Sequence, residues 1–176
     1  MMKLKALPNV PRWAVLAAHA VPLIVLPSSI WRVALTFGAP VARVDDPTLG
    51  LAAYQLGLTV LAEVLAFLTL GLVREWGEVF PRWLPFLGGR PVGARGATSA
   101  ALAGAFGLVA LTCWFTYVVY AGVGEYSPVA HIEGPLQETL LYACYLPLVA
   151  WAPLLTAVAV AYHRRRRSLT STSLTR

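Results

Sequence analysis

Charge is scarce in this sequence. Asp, Glu, Lys and Arg make up 12% of its 176 residues, against about 25% in soluble domains. With 58% hydrophobic residues and a mean hydropathy of +0.67, a soluble fold of this length has no interior large enough for its apolar surface. Acidic residues are fewest, eight against fourteen Lys and Arg. That excess would point to nucleic acid only if it lay on a polar face. Here the basic residues stand at the ends of hydrophobic runs, as membrane topology requires, so no nucleic-acid partner is expected. Cysteine is nearly missing. Cys113 and Cys144 both lie inside apolar runs, and without a C-x-x-C pair there is neither a zinc ribbon nor a dithiol redox motif. The chain also lacks a phosphate loop, a Ser-nucleophile motif and a paired-His zinc motif. No cofactor and no metal are therefore expected.

What the sequence has is four long apolar runs, at residues 13–37, 49–72, 98–120 and 136–162. A helix of about 20 residues crosses the roughly 30 Å hydrocarbon core. Each run is long enough, so the expected fold is all-α, a polytopic membrane protein with a four-helix transmembrane bundle. Residues 1–163 form one membrane domain, 74–96 a cytoplasmic interfacial connector, and 164–176 a basic, disordered tail. The opening "MMKLKALPNVPRWAVLAAHAVPLIVL" resembles a signal peptide. Its apolar run continues to Phe37, however, so it reads as an uncleaved first span.

Helix-entry chemistry marks several starts. Pro11 opens the first span, Asp46-Pro47 the second and Gly134-Pro135 the fourth. Glu138 then falls in a first turn, where the helix dipole favours it. Pro22 and Pro27 in span one, and Pro147 and Pro153 in span four, predict kinks in both. In span three, Gly96, Ala100 and Gly104 have the small-xxx-small spacing of close helix packing, within the molecule or between copies.

Orientation follows from the basic residues. With the N-terminus inside, twelve of fourteen Lys and Arg face the cytoplasm and only Arg32 and Arg43 lie towards the outside. The outer connections hold Asp45, Asp46, Glu125, Glu133 and Glu138. Both termini should be cytoplasmic.

The connector "REWGEVFPRWLPFLGGRPVGARG" is the least ordinary stretch. Trp76, Phe80, Trp83 and Phe86 would share one face of a helix. Glu78 and Arg82 form an i, i+4 pair, and Pro81 limits the helix. The expectation is a short interfacial segment with Trp76, Phe80, Arg82, Trp83 and Phe86 at headgroup level. The phrase "WGEVFPRWLPFLGGRPV" resembles the connector of a group of uncharacterised actinobacterial multi-pass membrane proteins with a W-G-x-V-F-P-R-W phrase after a hydrophobic span. "YLPLVAWAPLLTAVAVAYHRRRR" is similar to their last span. The resemblance implies a bacterial plasma membrane and carries no activity.

Inside the bilayer, Glu63 is the only deep acidic residue, and such groups are functional candidates by default. Depths counted from the inner ends, roughly 13 Å for Glu63 and 9 Å for His19, predict a His19–Glu63 pair. It would be a proton-handling pair, a polar clamp, or a carboxyl kept neutral by its surroundings. At the outer end, Arg32 and Gln55 form a second candidate pair, with Asp45 and Asp46 as alternatives. Cys113 and Cys144 lie at similar depths, where a disulfide is conceivable and free thiols are the default. His131, with Glu125 and Glu133, sits in a loop whose spacing matches no metal-ligand motif.

Three functions follow. The chain reads first as a non-enzymatic accessory or assembly factor whose partners are the bilayer, a membrane protein or a second copy. The alternatives are a small proton-coupled transporter using Glu63, and a small lipid- or quinone-modifying enzyme using His19, Glu63 or His131. The small multidrug transporters share four spans and one membrane Glu, but their dual-topology members need a weaker charge bias than this one.

Overall fold

The structure, a computed structural model, describes residues 10–43, 48–79, 88–121, 132 and 134–173. Its elements are α1 (Arg12–Thr36), α2 (Leu49–Gly71), α3 (Ala94–Ala121), α4 (Pro135–Tyr145) and α5 (Trp151–Ser173). Two 3₁₀ turns, Glu75–Gly77 and Leu146–Ala150, complete the described structure. Four helical segments are long and apolar enough to cross a membrane: Arg12–Thr36, Leu49–Gly71, Ala94–Val118 and Pro135–Arg167. The protein is an all-α, multi-pass membrane bundle of four spans.

The helix ends show how the chain is punctuated. α1 stops at Phe37 because Gly38 turns left-handed, at φ 79°. Ala39 N–H then donates to Ala34 O at 2.9 Å and Gly38 N–H to Leu35 O at 3.1 Å, the paired bonds of a Schellman cap. α2 is capped by Thr48, whose hydroxyl accepts from Leu51 N–H at 3.1 Å. This corrects the expected Asp46-Pro47 start by two residues; Asp45, Asp46 and Pro47 lie outside the described residues. Gly134 and Pro135 open α4 as expected, with Glu138 in the first turn.

α1 and α5 form the centre. Ala14, Ala18, Val21 and Val25 of α1 pack with Trp151, Leu155, Val158, Ala159 and Tyr162 of α5. Small residues on both helices let their backbones approach, which substitutes for a hydrophobic driving force inside lipid. α2 packs chiefly on α1, and α3 on α5. The outer faces of α2 and α3 carry exposed Leu, Val and aromatic side chains, as lipid-facing surfaces do. Gln137 Nε2 donates to Pro40 O at 3.1 Å, tying the start of α4 to the chain after α1.

α3 presents Ala97, Ala101, Ala105 and Leu108 to the core. Gly96, Ala100 and Gly104 are exposed, and only Gly104 comes near a neighbour, 3.9 Å from Leu155 Cδ2 for an added Cβ. Within the molecule the close-packing stripe is therefore displaced by one residue. Both stripes have the same spacing, and α5 selects the one ending on Ala105.

Span four breaks at Pro147, where five residues wind as 3₁₀ before α5 begins. Pro153 is the third residue of α5, a position where its missing N–H costs nothing. α1 is one continuous helix through Pro22 and Pro27. The tail departs from expectation, since α5 runs on through the arginines to Ser173 instead of ending near Tyr162. Arginine is a good helix former, and two of these arginines are anchored, as shown below.

The connector starts as a tight turn rather than an amphipathic helix. Gly77 lies against Gly71, where an added Cβ would run into the Gly71 carbonyl. Trp76 folds back onto α2 and stacks on Phe67, with centroids 5.3 Å apart and planes 11° apart. Val92 N–H donates to Glu78 O at 2.8 Å, and a bridge joins Val79 to Pro91, closing the neck of the loop. Phe80, Arg82, Trp83 and Phe86 lie outside the described residues, as do Glu125, His131 and Glu133.

Candidate functional site

Among the described residues, two polar clusters interrupt the apolar interior, one towards each end of the bundle. The first lies between α1 and α2, on the half away from the arginine-rich end of α5. Gln55, Thr59 and Glu63 recur every four residues on α2, so they share one helix face, and all three are half-buried. Facing them on α1 are Thr36, Arg32, Ser28 and Ser29, the last three buried. Arg32 Nε donates to Thr59 Oγ1 at 3.2 Å, and its Nη2 donates to Ser28 Oγ at 3.4 Å. The guanidinium also lies 5.9 Å from the centroid of the Tyr145 ring of α4. That ring is held by Trp31, edge-on at 5.5 Å, and by Phe115 of α3, stacked at 6.1 Å.

The sequence-predicted partner of Arg32 was Gln55. The structure instead gives Arg32 to Thr59, and Gln55 contributes its main-chain carbonyl, which accepts from the Thr59 hydroxyl at 2.9 Å. Arg32 is 9% exposed, and none of its partners among the described residues is a carboxylate. Its charge is solvated by the hydroxyls of Thr59 and Ser28 and by the side chain of Tyr145. A turn towards the near end, the Gln55 side chain lines a cavity of about 230 Å³ between the end of α1 and the start of α2.

The Arg32–Thr59 contact fixes the antiparallel register. Four residues deeper on each helix, Glu63 stands level with Ser28. His19 is nine residues from Ser28, roughly 13 Å along the axis. The expected His19–Glu63 pair is therefore not formed. Glu63 Oε1 is buried without a hydrogen-bond partner among the described residues, as is Ser29 Oγ.

His19 belongs to the second cluster, at the basic end. Its Nδ1 lies 2.7 Å from Val15 O, and its Nε2 lies 2.7 Å from Arg74 Nη2. A carbonyl only accepts and a guanidinium only donates. Both partners thus demand one state, a neutral imidazole with its proton on Nδ1. Close by, the Glu78 carboxylate accepts from Arg165 at 2.7 Å and lies 3.8 Å from Arg166. Arg166 also donates to Val92 O at 3.1 Å, and Arg165 stacks over Tyr162 at 5.6 Å. Glu78 and the Val92 carbonyl thus pin α5 to the two sides of the connector's neck. The expected Glu78–Arg82 pair falls on residues only half described, and Glu78 is already engaged by α5. Arg164 and Arg167 are exposed.

Cys113 is exposed and Cys144 half-buried, and both are free thiols. Sequence reasoning missed Thr59, Ser28, Tyr145 and Arg74 as partners, and it did not pair Glu78 with the arginines of α5. The Gln55–Thr59–Glu63 spacing was a legible signal for the first. The others required the register and the fold of the connector.

No protein-family model, curated protein or solved structure matches this chain.

Proposed function

We propose that the chain is a non-enzymatic accessory or assembly factor of a bacterial plasma membrane. Both termini are cytoplasmic, and the basic end binds anionic lipid headgroups. The observation that carries this reading is the helical extension of α5. Arg165 and Arg166 are fixed on Glu78, so Arg164 and Arg167 are held out, exposed, on a rigid helix. Each such charge gains about 1 kcal/mol near an anionic leaflet. The bacterial setting rests on the resemblance of the W-G-E-V-F-P-R-W connector, and the orientation on the charge bias. The separation of His19 from Glu63 favours this reading over the enzyme, because an acid–base reaction needs its groups to converge.

The test is a native mass spectrum of the protein taken from nanodiscs of mixed phosphatidylglycerol and phosphatidylcholine. Wild type should retain the anionic lipid preferentially, and the double variant Arg164→Gln with Arg167→Gln should retain the two lipids alike. Equal retention by wild type would remove the proposal.

A transporter remains the second reading, favoured by the buried, unpartnered Glu63 Oε1. Substrate uptake that is lost in Glu63→Gln would select it.

A further inference from the structure

We infer that Arg32 and Glu63 form a proton-linked binding site for a small oxyanion, entered from the cavity at the α1–α2 end of the bundle. The site is independent of the lipid contacts at the basic end.

Arg32 carries a permanent charge at a buried position, yet its partners among the described residues are neutral: Thr59, Ser28 and Tyr145. A buried cation inside lipid calls for an anion. The acid on the facing side of α2 is Glu63, one turn beyond Thr59. Its Oε1 is buried with no hydrogen-bond donor among the described residues. Two charge-balanced states follow. In one, ionised Glu63 is the counter-ion of Arg32. In the other, an incoming oxyanion pairs with Arg32 while Glu63 holds a proton and is neutral. Both leave the site with no net charge.

The path to the site is polar on one wall. The cavity of about 230 Å³ is lined by Thr36, Thr48 and Gln55 among apolar neighbours. Thr36 is one turn above Arg32 on α1, and Gln55 one turn above Thr59 on α2. Neither Arg32 nor Glu63 lines the cavity itself; it is the entrance, and it admits a carboxylate or a phosphate group, whether a free solute or a lipid headgroup. A planar guanidinium with several donors matches either oxyanion.

Facing Glu63, α1 offers Arg32, with the hydroxyls of Ser28 and Ser29. α4 contributes Tyr145, whose ring lies against Arg32. On the turn that follows α2, Arg74 is eleven residues further along and is occupied by His19. Glu63 is thus the group whose proton must follow the anion. One proton per anion means that apparent affinity falls about tenfold per pH unit once Glu63 ionises.

The experiment is calorimetric titration of the full chain in neutral phosphatidylcholine nanodiscs. Sodium phosphate and sodium acetate are each added in two buffers of different ionisation enthalpy, which gives the protons taken up per anion. Wild type should bind with uptake of about one proton and weaken with rising pH. Glu63→Gln, which keeps a neutral side chain of the same shape, should bind without proton uptake and without that pH dependence. Arg32→Gln should not bind, and Arg32→Lys, which keeps the charge, should bind more weakly. Nanodiscs containing phosphatidylglycerol separate the sources. If the occupant is a lipid headgroup, they abolish binding of the soluble anions; if it is a solute, binding is unchanged. The proposal is overturned if wild type binds neither anion in neutral discs, or if Glu63→Gln takes up the same number of protons as wild type.

Discussion

At the scale of single residues, Arg32 shows how a membrane protein holds a charge with neutral groups. Its Nε is given to Thr59, so Thr59→Val should destabilise the bundle by about 1–2 kcal/mol, the range for stranding a buried donor. Gln55→Leu removes a side chain that Arg32 does not use and should change stability by no more than about 0.5 kcal/mol. Reversible unfolding in mixed micelles measures both, and a larger effect at Gln55 would mean that the Arg32 geometry is wrong. A second comparison concerns His19. Its partner is Arg74, so a double-mutant cycle of His19→Leu with Arg74→Leu should show coupling of about 0.5–2 kcal/mol. His19→Leu and Glu63→Leu should be additive within about 0.5 kcal/mol. Coupling in the second pair and additivity in the first would restore the pairing that depth alone suggests. Depth misled there because it was counted from each span's end. The register depends on Arg32 meeting Thr59, and no hydropathy pattern encodes that contact.

At the scale of elements, the spans were legible because apolar runs record burial in lipid directly. The second run, 49–72, differs by one residue from α2, Leu49–Gly71. The third begins four residues earlier than its run, at Ala94, because exposed Arg95 lowers hydropathy without ending the helix. The fourth was misread at its end for the same reason. Four arginines close an apolar run, but they do not close a helix when Glu78 is there to receive two of them. Glu78→Gln should therefore loosen that end. Amide exchange between residues 164 and 173 should speed up severalfold in the variant, while α1 amides stay protected. Unchanged exchange would show that the α5 extension does not need its anchor. The connector turn gives a sharper contrast. Gly77→Ala places a methyl group against the Gly71 backbone and should cost about 1–3 kcal/mol. Gly96→Ala meets nothing within 4 Å and should be neutral or slightly stabilising. A tolerant Gly77 would mean that the connector does not fold back on α2.

At the scale of the whole molecule, the two polar clusters give the bundle two unlike ends. One gathers Arg74, Glu78 and the α5 arginines. The other opens a cavity that leads towards Arg32 and Glu63. α1 passes through both clusters and packs against α2 and α5. The candidate site was half legible. Sequence gave Arg32 and Glu63 as residues out of place in lipid, while folding supplied Thr59, Ser28 and Tyr145 around them. The lipid-binding proposal depends on the basic end facing the cytoplasmic leaflet, and orientation tests it most directly. In a Cys113→Ser, Cys144→Ser background, single cysteines at Pro40 and at Arg90 can be treated in intact cells with a membrane-impermeant thiol reagent. The account predicts that Pro40→Cys is labelled in intact cells and Arg90→Cys only after permeabilisation. Labelling of Arg90→Cys in intact cells, with Pro40→Cys protected, would place the arginines outside and contradict the account.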